Sequence, residues 1–161
     1  MPTPRMGVMA EIGFYHLTRT AADLALPALL GRTLAAGQRA LVLCGSAERV
    51  AALDAALWLC AEPDWLPHGT ARMGHAGWQP VWITDAVPER AEAVENGARY
   101  LFLLDGVVAP AAWFERVFDL FDGNDEAAVA AARERWRAAK AGGHGLTYWR
   151  QTARGWEKQG A

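Results

Sequence analysis

"RALVLCGSAERVAALDAALWL", residues 39–59, changes its hydrophobic period in the middle. Ala40 to Cys44 is a short, nearly continuous apolar run, as expected of a strand buried on both faces in a parallel sheet. Gly45 and Ser46 interrupt it, and from Ala47 the apolar positions Val50, Leu53 and Leu57 recur at helical spacing, with Trp58 beside them. Ser46 is placed to cap that helix, predicted from Ala47 to about Leu59. A buried strand leading directly into an amphipathic helix is one unit of an α/β sheet.

The flanking sequence repeats the alternation. Upstream, Ile12 to Leu17 reads as an aromatic-rich strand. Ala21 to Ala36 reads as a helix stopped by Gly37, with Pro27 expected to kink it or mark its start. Downstream, residues 61–79 hold two prolines, three glycines and two tryptophans, which predicts a long loop of functional interest. Val81–Thr84 and Tyr100–Leu104 are further strands, separated by an acidic segment with Pro88 and Glu89 to Glu95. Pro110 introduces a short helix through Phe114, and periodicity leaves Arg116 to Phe121 open between helix and strand. Asn124 or Asp125 caps a helix ending at Gly142 and Gly143, and Leu146–Trp149 is expected as the last strand. The predicted architecture is a three-layer α/β sheet with helices on both faces. Residues 1–10 are expected as an N-terminal extension, 11–149 as one α/β domain and 150–161 as a polar C-terminal tail.

Composition narrows the function. With 161 residues, 52% hydrophobic and 21% charged, the chain is long enough for a sizeable core. A net charge of −2 argues against nonspecific wrapping of duplex nucleic acid. Two cysteines, Cys44 and Cys60, make no disulfide framework, and no membrane-spanning or signal segment is visible, so a cytoplasmic protein is expected. No phosphate-loop glycine pattern, metal-ligand spacing or nucleophile triad stands out, so no catalytic residue, cofactor or metal site is predicted. The best opening for a rival reading, a small-ligand or nucleotide-binding enzyme, is the strand-to-helix turn at Gly45 and Ser46.

Surfaces carry more information. In "ARERWRAAK", residues 132–140, the cations Arg133, Arg137 and Lys140 share about one fifth of the helix circumference. Val129, Ala132 and Ala139 occupy the adjoining arc, and Trp136 falls between the two. Arg forks and a Lys capture carboxylates, and the neighbouring ring and methyl groups accept an apolar side chain. A short acidic peptide with an aromatic end matches both halves. Trp58 and Trp65, on either side of a proline turn, form a second candidate contact surface. A third reading is direct single-strand binding through Trp149, Arg150, Arg154 and Trp156.

Taken together, "FYHL" at 14–17, "LDAALW" at 53–58, "WLPHG" at 65–69 and "ARERWRAAKAGG" at 132–143 resemble, in order and spacing, the chi subunit of bacterial DNA polymerase III holoenzyme. The resemblance implies a Rossmann-like domain without nucleotide-binding motifs or catalysis. It implies a clamp-loader subunit that pairs with a psi subunit and binds the acidic, Phe-ended C-terminal tail of single-stranded DNA-binding protein, meeting nucleic acid only indirectly. It also implies tail contacts at Arg133, Trp136, Arg137 and Lys140, and psi contacts at Trp58, Trp65, Leu66, Pro67 and His68. Trp136 stands where the family usually has tyrosine, Trp65 where it has phenylalanine. Val129 and Ala130 occupy the region of a further basic residue, which implies weaker tail binding.

Overall fold

The computed structural model describes residues 9–63 and 65–159. The eight strands are β1 (Glu11–Leu17), β2 (Ala40–Leu43), β3 (Gly69–Thr70), β4 (Val81–Thr84), β5 (Tyr100–Leu103), β6 (Arg116–Asp122), β7 (Gly145–Thr152) and β8 (Gly155–Lys158). The three α-helices are α1 (Ala22–Ala35), α2 (Ala47–Trp58) and α3 (Glu126–Ala141). The strands form one sheet in the order β3-β4-β2-β5-β6-β1-β7-β8. Every pairing is parallel except β7 with β8.

Parallel neighbours need crossovers, and these cover both faces of the sheet. α1 and α2 bury Leu26, Leu29, Leu30, Leu53 and Leu57 against Tyr15, Leu17, Val42, Phe102, Phe118 and Leu120. α3 lies on the opposite face, where Ala132 packs with Ile12, Phe14, Leu41, Leu43, Val117 and Phe121. The period-two alternation of β1 therefore sends Phe14 to the α3 side and Tyr15 to the α1 side. This is the expected three-layer α/β architecture.

Local chemistry sets the helix ends. Ser46 Oγ accepts the Arg49 N–H at 3.2 Å, and Asp125 Oδ1 accepts those of Ala127 and Ala128 at 2.9 and 3.4 Å. α3 ends in a left-handed glycine: Gly143 has φ +79°, the His144 N–H returns to Ala139 O and the Gly143 N–H to Lys140 O. α1 starts at Ala22, so Pro27 is an interior, buried residue and not the start of the helix.

One open reading is decided and three expectations change. Arg116–Asp122 is a strand, because it lies between β5 and β1 and its apolar run is covered on both faces. The segment after Pro110 makes only a single 3-10 turn, Ala111–Trp113. The long loop contains the two-residue strand β3 at the sheet edge. Residues 150–158 are not a polar tail: β7 continues to Thr152 and turns back as β8, anchored by a T-shaped contact of Trp156 with the Tyr15 ring at 5.0 Å. Residues 1–8 of the expected N-terminal extension and residues 160–161 lie outside the described residues. Ala10 is fully buried against the α3-side core.

One buried ion pair ties α3 to the sheet. Arg135 Nε and Nη2 donate to the two Asp119 carboxylate oxygens at 2.7 and 2.9 Å, with only 13% and 4% of the side chains exposed. Burial pushes the Asp119 carboxyl up, and the Arg135 hydrogen bonds and charge draw it back down. Removing one partner leaves an unpaired buried charge, so Arg135→Met is expected to cost about 3–5 kcal/mol in urea unfolding. Arg135→Met with Asp119→Leu should recover most of that loss. Equal losses in the single and double variants would show that the pair does not anchor the helix.

Candidate functional site

The stripe Val129, Ala132, Trp136, Ala139 is the inward face of α3, so the helix is apolar where it meets the sheet. Trp136 is half-buried and meets Phe14 and Tyr148 edge-on, with ring centroids 5.2 and 6.0 Å away. The ring packs on β1 and β7 and also lines an open cavity of about 210 Å³ with Phe14, Phe121, Val129, Ala132 and Tyr148. Arg133 stands on the rim of that cavity.

The expected cations fall into two groups. Arg133 is exposed beside the cavity. Arg137 and Lys140 are exposed further along the same helix and do not line it. Arg137 is paired with Glu134 on the surface, an arrangement of little energetic weight that a stronger anion can displace. Arg135, within the same run, is committed to Asp119 and unavailable to a ligand.

Sequence reasoning missed the sheet's share of this site. Phe14 pairs with Tyr148 and His16 with Arg150 across the β1–β7 register, so all four project to the α3 face. His16 Nδ1 is hydrogen-bonded to the Tyr148 hydroxyl, and the His16 ring lies against Gly123, where an added Cβ would come within 1.9 Å of it. Only glycine fits there. Burial lowers the His16 pKa and a hydrogen bond to the Gly123 backbone raises it, while Arg150 and Arg133 lower it further and Asp122 opposes them. Burial raises the Tyr148 pKa, and Arg133 and Arg150 lower it. Both arginines therefore impose a positive potential on the Tyr148 hydroxyl. The available signal was period-two alternation in "FYHL" and "LTYWR". It fixes the face of each residue but not which strands are neighbours.

The second expected surface divides. Trp58 and Trp65 are 61% and 78% exposed, and Leu59 between them in sequence is also exposed. Leu66 and His68 are buried, so they support the patch from below and offer no contact surface, and Pro67 is half-buried. His68 faces the Leu66 carbonyl through Nδ1 at 2.7 Å and Asp54 through Nε2 at 3.0 Å, with the Trp58 ring 4.7 Å above it.

The positions that hold phosphates in this architecture are filled by the chain itself. Strand-to-helix turns offer N–H groups to anions. After β1, the N–H groups of Thr18, Arg19 and Thr20 all donate to Gln151 Oε1, at 3.2, 2.9 and 3.1 Å. After β2, the Gly45 N–H donates to Asp105 at 2.9 Å, and that carboxylate also takes Arg49. A cavity of about 640 Å³ at the carboxyl ends of β1 and β6 is bordered by Asp105, Asp122 and Asp125 together with Arg19 and Arg135. Gly45 and Ser46 do not line it, and the Gly45 N–H that the rival reading needs is taken by Asp105. Among the described residues no helix is long and apolar enough to cross a membrane.

The lowered His16 pKa has a definite sign in stability. The unfolded chain takes up this proton at higher pH than the folded chain, so acidification through the ordinary histidine range destabilises the fold. Between about pH 7.5 and about pH 5.5 the wild type is expected to lose more melting temperature than His16→Leu. Parallel curves for the two proteins would remove His16 from the account.

The family described as DNA polymerase III chi subunit, HolC, matches residues 9–147. No curated protein matches the chain.

Proposed function

This chain belongs to the DNA polymerase III chi subunit family, an accessory subunit of the polymerase, and from that premise we propose that it is a noncatalytic adaptor of the replisome. Its α3 seam receives the acidic, aromatic-ended tail of single-stranded DNA-binding protein, and its Trp58 and Trp65 patch receives a psi-like subunit of the clamp loader.

The observation that carries this reading is an apolar cavity with a cationic rim at the α3 seam. At about 210 Å³ it has room for one aromatic ring, since an apolar cavity of about 150 Å³ already binds benzene. A terminal phenylalanine ring enters among Phe14, Trp136 and Tyr148. Its α-carboxylate meets Arg133 at the rim, and the preceding acidic side chains run along α3 towards Arg137 and Lys140. Each such contact is charge-assisted, hence stronger than a neutral hydrogen bond and sensitive to salt where exposed. Trp136 in place of the family's tyrosine keeps the stacking surface and loses a hydroxyl, and the ring of Tyr148 lines the same cavity.

The psi-like contact draws support from exposure. Two exposed tryptophans with the exposed Leu59 near them support a docking surface there. β3, next to this patch, and β7 are six positions apart in the sheet order with β4, β2, β5, β6 and β1 between them. At about 4.8 Å per strand this separates the two surfaces by roughly 29 Å. Both partners can therefore sit on the protein together.

Titration with a labelled acidic peptide ending in phenylalanine tests the tail site. Arg133→Ala is expected to weaken binding by about tenfold to a hundredfold, as for loss of a hydrogen-bonded charge. Trp136→Ala should weaken it similarly, whereas Trp65→Ala should leave it within about twofold. Equal affinity of wild type and Arg133→Ala would eliminate the proposed site.

A further inference from the structure

On the sheet face opposite α3, a cavity of about 270 Å³ opens between the C-terminal half of α1 and the β7–β8 hairpin. Its walls are aromatic. Tyr15 lies parallel to Trp149, with centroids 6.2 Å apart and 8° between planes, and takes the edge of Trp156 at 5.0 Å and 88°. Tyr100 and Phe118 continue the wall, 6.1 Å apart. Trp149, Trp156 and Tyr100 are only half-buried, so their rings still have surface facing the opening.

Two exposed arginines from different elements stand at the mouth, Arg32 on α1 and Arg116 at the start of β6. The Arg116 guanidinium lies 5.3 Å from the Phe118 ring centroid and 5.8 Å from that of Tyr100, within cation–π range of both rings. Both cations act on the interior. Burial pushes the Tyr15 hydroxyl up, and Arg116 and then Arg32 draw it down. The cleft is thus an aromatic slot under positive potential. Packing alone explains a cluster of rings, but not an open slot with a cation at the mouth from each of two elements.

We propose that this cleft binds a planar heteroaromatic base carrying an anionic group, that is, a nucleobase with its phosphate. The base stacks between Trp156 and the Arg116 plane, and the phosphate is held by Arg116 and Arg32. Aromatic platforms interleaved with arginine bind bases in this way without reading sequence. The same chemistry is offered by a free nucleotide and by one unit of a DNA single strand. The site is independent of the α3 seam, because Tyr15 and Phe14 point to opposite faces of β1. It also divides the residues grouped for single-strand binding on sequence grounds: Trp149 and Trp156 line the cleft, and Arg150 belongs to the other face.

The full chain is titrated with a fluorescein-labelled thymidine oligonucleotide of about 12 nucleotides, within the usual span of single-strand sites. Separate titrations use thymidine monophosphate and inorganic phosphate, read by the intrinsic tryptophan fluorescence. The oligonucleotide should bind. Arg32→Ala with Arg116→Ala should weaken it by about tenfold or more and flatten the logarithmic salt slope by about 0.7 per arginine removed. Both arginines are exposed, so this variant should keep the wild-type circular dichroism spectrum. Arg133→Ala with Lys140→Ala should leave binding within about twofold, which keeps the outcome separate from that of the tail site. Binding of thymidine monophosphate with an inert oligonucleotide would support the site and assign it to free nucleotide. Inertness of both probes, inorganic phosphate binding as tightly as thymidine monophosphate, or binding unaffected by loss of both arginines would each overturn it.

Discussion

The Arg135–Asp119 ion pair fixes the geometry on which the proposed docking site depends. It joins the middle of α3 to the middle of β6, with both carboxylate oxygens engaged at 2.7 and 2.9 Å in nearly dry surroundings. A bidentate pair restricts rotation as well as distance. With Arg135 held there, the helical repeat leaves one solution: Val129, Ala132, Trp136 and Ala139 face the sheet, and Arg133, Arg137 and Lys140 lie along the free edge. A helix free to roll by one residue would bury a cation or expose the tryptophan. Buried ion pairs are weak evidence for stability but can confer such specificity. The Gly143 stop and the Asp125 cap set the length of α3, so its last cation, Lys140, falls in the final turn, where the helix dipole favours it.

The sheet determines what can be presented where. β1 lies between β6 and β7, and its alternation distributes Phe14 and His16 to one face, Tyr15 and Leu17 to the other. The α3 face acquires a small apolar cavity with Arg133 at its rim. The α1 face acquires an aromatic slot with two other arginines. The tryptophans of α2 and the following loop stand at the far edge of the sheet, beside β3. Meanwhile the turns that would hold phosphate in a nucleotide-binding relative of this architecture are closed by Gln151 and Asp105. The scaffold's exposed aromatic and cationic surfaces stay open, and its strand-to-helix turns after β1 and β2 are sealed from within.

Sequence periodicity made most of this architecture legible, for reasons visible in particular elements. Ala40–Leu43 and α2 were readable because the change from continuous apolar to helical spacing coincides with a serine cap. Arg116–Asp122 was not, since a strand covered on both faces and a buried helical turn share one apolar pattern. β8 was missed because its single inward residue, Trp156, is surrounded by polar ones, and only the partner ring of Tyr15 gives it a place. The proposed docking edge of α3 was half visible. Arg133 and Trp136 follow from a helical wheel, but Phe14, His16, Tyr148 and Arg150 join them through β1–β7 pairing, which no local spacing encodes. Leu66 and His68 show the converse: neighbours in sequence of an exposed tryptophan, they point inwards.

The most direct measurement is a nuclear magnetic resonance titration of the isotope-labelled chain with an acidic peptide ending in phenylalanine. Resonances of Trp136, Tyr148 and Arg133 should shift together and saturate at one affinity, with the Trp58 and Trp65 indole signals unmoved. Shifts confined to the Trp58 and Trp65 patch, or an unmoved Trp136 indole at saturating peptide, would contradict the assignment of the α3 seam as the tail-binding site.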